Sequence, residues 1–309
     1  MAKRQPKTLY HYCSVQTFFN IMKNRSIWLS DIGKSNDSLE LRWIKGRCQY
    51  YILKAWTDYA KAVSETGELE KIDFDAFSKV QKQAEELTTA ETEKCWVFCL
   101  SEKADDLGQW RGYAADGSGI AIGFRKQFFE RIAEEGHTEY DAPSSVSFDC
   151  ISYDEKEEKA LFYDICGLSQ ITPQMESKEV LRRIRAAVVA SLMLAPYYKS
   201  KKFSEEKEWR LVFSTITKDL IAGKTPKTEF GKLFPNNEIQ YDYIVRNTEI
   251  VSHIAFGDKD MAKYISDIWI GPKCKISSVE MRLFLISVGF LKDFDDKSIE
   301  IHKSQASYR

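Results

Sequence analysis

Two carboxylates and an arginine stand at alternate positions in "FSEEKEWRLVFS", residues 203–214: Glu206, Glu208 and Arg210. Read as a strand from Lys207, the segment puts Lys207, Trp209, Leu211 and Phe213 on one face and Glu206, Glu208, Arg210 and Val212 on the other. Two carboxylates so placed repel, so one of them rises in pKa in a partly dry site, and Arg210 offsets the repulsion. Glycosidic-bond chemistry needs a carboxylate of this kind, because its transition state resembles an oxocarbenium ion. Arginine beside it suits a phosphate or pyrophosphate by bidentate pairing. The competing reading is an exposed edge strand whose outer face is charged. A further reading takes Glu205, Glu206 and Lys207 as the E-x-K ending of a Mg²⁺-dependent nuclease site. That site wants another acid on an earlier strand, and Asp105 and Asp106 lie just past one, at a helix start.

Three other segments carry residues able to do chemistry. His11, in "LYHYCS", is either a strand histidine packed beside Tyr10 and Tyr12 or a polar contact at the mouth of a cleft, with Ser14 and the following helix N-terminus nearby. Trp110 and Tyr113, in "QWRGYAADGSG", are three apart and share a helix face. They form either a core pair or an aromatic wall for a planar ring. Asn36, Asp37 and Glu40, in "SNDSLE", have the chemistry of a helix cap and also that of a loop touching a ligand. Four histidines and seven scattered cysteines without a CxxC pair offer no zinc spacing. Gly117 and Gly119 make no GxGxxG, and no lysine follows to complete a phosphate loop.

The elements that must position these residues follow from periodicity. "TLYHY", "SIWLS", "CWVFCLSE", "GIAIGF" and "SVSFDCISY" alternate or run apolar as strands. The segment from Lys207, then "YDYIVRNTEI", "VSHIAFG", the second half of "MAKYISDIWIGP" and "SIEIHKS" add further strands, with a polar loop at 222–238. Ser14 caps a helix carrying Val15, Phe18, Phe19 and Met22. A long helix presents Leu39, Trp43, Tyr50, Ile52, Leu53 and Trp56, and a polar helix runs from about 74 to 93. Short helices are expected at about 106–116 and after 125, two more at about 155–168 and 176–198, and a capped helix at "SSVEMRLFLISVGF". The pattern predicts one α+β domain over residues 1–309, with helical insertions at about 38–93 and 155–198. A net charge of −1 gives no global pull toward nucleic acid or anionic membranes. Reduced thiols, no secretory signal and no membrane span predict a cytoplasmic protein.

Taken in order, "LYHYCS", "SNDSLE", "FCLSE…QWRGYAADGSGIAIGF", "EKEWRLVF" and "IWIGP" resemble a widespread bacterial domain-of-unknown-function family. The order of a strand with histidine, a short helix with tyrosine and a strand with ExE is also similar to ADP-ribosyltransferases. That resemblance implies a split β-sheet core clasping NAD as substrate. His11 and Ser14 would meet the adenosine side, Trp110 or Tyr113 would stack near nicotinamide, and Arg210 would accompany the cofactor. Glu208 would stabilise the ribosyl cation, and Glu206 would orient the acceptor. Asn36, Asp37 and Glu40, on the reading of their own segment, form a substrate loop. The resemblance further implies a toxin or phage-defence effector acting on nucleic acid or protein, with a neutralising partner. The alternatives are a non-catalytic module that recognises a nucleotide or a partner, and the Mg²⁺ nuclease.

Overall fold

Alternating side chains build the centre of the fold. In β3 (Glu93–Ser101), Trp96, Phe98 and Leu100 enter the main core on one face. Cys95, Val97 and Cys99 pack on the other, as a two-residue period requires. A computed structural model describes residues 6–34, 38–89, 93–136, 144–160, 163–164, 167–216, 241–246 and 248–307. The loop expected at 222–238 lies outside them.

Among the described residues ten strands join in one sheet, of α+β class: β1 (Thr8–Cys13), β2 (Ser26–Asp31), β3, β4 (Ile120–Arg125), β5 (Ser144–Cys150), β6 (Glu208–Ile216), β7 (Tyr241–Arg246), β8 (Glu249–Gly257), β9 (Ile265–Ile270) and β10 (Glu300–Lys303). The main path runs β10-β9-β4-β1-β3-β2-β8-β7. The β9–β10 pair is parallel and its neighbours are antiparallel.

β3 is the branch point. One edge pairs with β6 along its length, from Glu93 opposite Ile216 to Ser101 opposite Glu208, and β6 carries β5 on its far side. The other edge is shared: Trp96 and Val97 pair with β2, and Ser101 pairs with β1. Between them, Phe98, Cys99 and Leu100 have no strand partner on that edge among the described residues.

Helices cover the main core. α1 (Val15–Asn24) buries Phe18, Ile21 and Met22, and Ser14 caps it by accepting a hydrogen bond from the Thr17 amide. α5 (Gln127–Glu135) adds Phe128, Phe129 and Ile132, and α8 (Ser278–Ser287) adds Met281 and Leu285. A separate apolar cluster joins α2 (Ser38–Thr66), α3 (Phe74–Thr89) and α7 (Ser177–Leu194), so the two helical stretches pack on each other. α2 presents Tyr51, Ile52, Ala55, Trp56, Tyr59 and Val63 to that cluster. Of the residues expected inside, Ile52 and Trp56 are buried and Tyr50 and Leu53 are exposed, while the side chains of Leu39 and Trp43 lie outside the described residues. The helix after β5, α6, is short (Glu155–Ala160). No helix among the described residues is long and apolar enough to cross a membrane.

Candidate functional site

The interruption at β3 exposes backbone, and a side chain fills the gap. His11 of β1 bonds through Nδ1 to the Cys99 carbonyl at 2.9 Å and stacks on Phe98 with ring centroids 4.0 Å apart. A carbonyl only accepts, so Nδ1 carries the proton and Nε2 is left as an acceptor. Burial lowers the His11 pKa to about 4 against the opposing pull of the Cys99 bond, so the ring is neutral at physiological pH.

α4 (Leu107–Tyr113) brings the aromatic residues. Asp106 caps it by accepting from the Gln109 amide, and the Tyr12 hydroxyl accepts from the Asp106 amide, tying the helix start to β1. After α4 the chain turns through Ala115, Asp116 and Gly117, all at positive φ. It then passes Gly119, where a Cβ would stand 2.1 Å from the Cys13 carbonyl oxygen. Only glycine lets the backbone approach β1 this closely.

Trp110 and Tyr113 do not share a role. Trp110 is fully buried against Tyr12, Ala114 and Ala121, and its Nε1 donates to Asp105 at 2.6 Å. Tyr113 is 40% exposed and donates its hydroxyl to Glu206 Oε1 at 2.9 Å. Over two helical turns, three positions still differ by about 60° around the axis, enough to place one ring inside and the other at the rim.

The charged residues meet at the head of β6. The chain enters through a 3₁₀ helix, Lys201–Glu206, and turns at Lys207, whose φ of 47° is left-handed. The strand therefore begins at Glu208 and not at Glu206, and Lys207 stands outside both strand faces. Trp209, Leu211 and Phe213 lie in the main core, as their alternation predicts. Arg210 grips Glu208 with two donors, Nε to Oε1 at 2.6 Å and Nη2 to Oε2 at 3.1 Å. Its Nη1 reaches the Pro196 carbonyl at 2.8 Å, and the residue is 1% exposed. The guanidinium thus faces Glu208 and the chain, not the cavity, although bidentate pairing suited it equally to a phosphate.

Lys199 joins the two carboxylates. Its Nζ lies 2.7 Å from Glu206 Oε2 and 2.9 Å from Glu208 Oε2. Burial alone would raise the Glu208 carboxyl, but Arg210 and Lys199 outweigh it and hold the pKa below the ordinary glutamate value. The Tyr153 hydroxyl accepts from the Glu208 amide at 3.1 Å. Burial first, and then the Glu208 charge, drive the Cys99 thiol well above its usual range, so it stays protonated.

Beside this cluster lies one small open cavity of about 70 Å³, bounded by Tyr10, His11, Tyr12, Cys99, Leu100, Gln109, Tyr113, Glu206 and Glu208. The structure therefore brings His11, Tyr113, Glu206 and Glu208 together. Trp110 and Arg210 lie behind the wall, and Ser14 stays with its helix cap. Asn36 and Asp37 lie outside the described residues, as does the side chain of Glu40. Asp105 and Asp106 serve α4, one bound to Trp110 and the other capping the helix, and neither lines the cavity. Among the described residues, no three His, Cys, Asp or Glu side chains gather in a metal-holding group. Lys199, Cys99, Gln109 and Tyr153 were not foreseen. A lysine in "YYKSKK" or a tyrosine in "ISYDE" carries no spacing that marks it, since the fold alone brings these residues to Glu208.

Residues 109–211, a third of the chain, match a family described as "Protein of unknown function (DUF2971)". The matched stretch holds Tyr113, Lys199, Glu206 and Glu208 but not His11. The chain has no match among curated proteins and none among solved structures.

Proposed function

We propose that the cavity binds NAD and that the protein transfers ADP-ribose from it. The supporting observation is the meeting of His11, Tyr113 and the Glu206–Glu208 pair, from three distant parts of the chain, around one opening. Breaking the bond between nicotinamide and ribose C1 builds positive charge on the sugar, and a fixed carboxylate stabilises it. Glu206 and Glu208 are candidates for that group, with Tyr113 as the rim aromatic and His11 Nε2 as an acceptor for a ribose hydroxyl. The side chain of Glu206 is 18% exposed and that of Glu208 is 7%, so Glu206 is the more accessible to a ligand.

The test is nicotinamide release from NAD, with candidate protein and nucleic-acid acceptors and without them. Glu206→Gln keeps the shape and removes the charge, so release should fall on the order of a hundredfold or more while the protein stays folded. Unchanged release in that variant and in Glu208→Gln would sink the proposal. The toxin or defence role proposed with it predicts that expression slows growth for the wild type and not for Glu206→Gln.

A second reading has an observation in its favour: both carboxylates already hold cations. A non-catalytic nucleotide-recognition module would bind NAD without releasing nicotinamide.

A further inference from the structure

Lys199 has no part in the sequence-based site, yet it sits between the two carboxylates. Its side chain is fully buried, and its ammonium lies within 3 Å of one oxygen of each. Its place in the chain is equally telling. Tyr198, the residue before it, packs against the cluster of α2, α3 and α7. The Lys199 amide donates to the Ser152 carbonyl at 3.1 Å, and Ser152 in turn donates to the Tyr197 carbonyl at 2.9 Å. The ammonium is thus delivered by a short bonded segment at the exit of the helical cluster.

We propose that Lys199 is the positioning residue of this cavity: one buried ammonium clamps Glu206 and Glu208 into a single charged unit and makes their orientation depend on the helical cluster. Other groups around the pair are placed differently. Arg210, on β6, grips both oxygens of Glu208, and Tyr113, on α4, donates to Glu206. Tyr153 meets the Glu208 backbone, while Cys99 on β3 is a protonated thiol and His11 on β1 a neutral ring. Without Lys199 the cavity would hold two carboxylates against one guanidinium, and one of them would take up a proton more readily.

The clamp rests on the proposed NAD chemistry only for the identity of the ligand, so its test uses none. Side-chain carboxyl ¹³C shifts of the glutamates are followed against pH in the wild type, Lys199→Met and Lys199→Arg, with Glu206→Gln for assignment. In Lys199→Met one of the two carboxyls should titrate at least about one pH unit higher than in the wild type, and Lys199→Arg should restore it. Superimposable titrations in folded Lys199→Met would overturn the clamp. If Lys199→Met does not fold, Lys199→Met with Glu206→Gln removes one charge of each sign and should recover cooperative thermal unfolding. No recovery would equally overturn it. Nicotinamide release enters neither measurement, so the clamp and the NAD proposal fail separately.

Discussion

Glu208 is a buried ionisable group and His11 a partly buried one, and they are held in opposite ways. Glu208 is kept charged by two cations, whereas His11 is kept neutral by burial against the pull of a single carbonyl. The histidine gives the protein a specific acid sensitivity. As pH falls below about 6.5, the unfolded chain protonates its imidazole, while the folded ring resists down to about 4. His11 therefore contributes stability above pH 6.5 that is lost between 6.5 and 4, up to about 3 kcal/mol. Urea midpoints measured from pH 7 to 4 should fall less steeply in His11→Gln than in the wild type, and parallel curves would rule this out. Much of this was legible at the residue scale: "LYHY", "QWRGY" and "EEKEWR" do converge on one cavity. The division of labour within each motif was not. Spacing predicts a shared face, but it does not say that Trp110 turns inward while Tyr113 reaches the rim.

At the scale of elements, the strands were the most legible, because a two-residue period in "CWVFCLSE" or "GIAIGF" leaves one consistent register with the core. The start of β6 is not legible in the sequence, because nothing in the residue type marks Lys207 as left-handed. That conformation ends the 3₁₀ helix and opens the strand, so it sets where Glu208 begins. A β-branched residue tolerates it poorly, and Lys207→Val should cost about 1–2 kcal/mol. Lys207→Gly should change stability by less than about 1 kcal/mol, since relief of strain and the added freedom of the unfolded chain offset each other. Denaturant titration of both variants checks the pair, and equal losses would show that the turn is unstrained. The sequence of α2 places Ile52 and Trp56 inside but not Tyr50 and Leu53 outside, because a 29-residue helix with aromatics all round offers several faces.

For the whole molecule, the two apolar clusters predict two levels of protection. The sheet core is the larger, and the cluster of α2, α3 and α7 is smaller and separate from it. Amides of α2, α3 and α7 should therefore exchange with deuterium together, through an opening of lower free energy than that of β1, β3, β4 and β9. Uniform protection across both would contradict this. The strand order has a consequence for how the chain is made. Ile27 neighbours Phe256 in the sheet although β3, β4, β5 and β6 come between them in the chain, and β4 must wait for β9. A nascent chain leaving the ribosome can form β1, β3, β4 and the helices between them, but the sheet cannot close until β8 and β9 have emerged. During that interval β2 presents a bare edge, and its exposure to chaperones or to other nascent chains lasts as long as translation of the intervening residues.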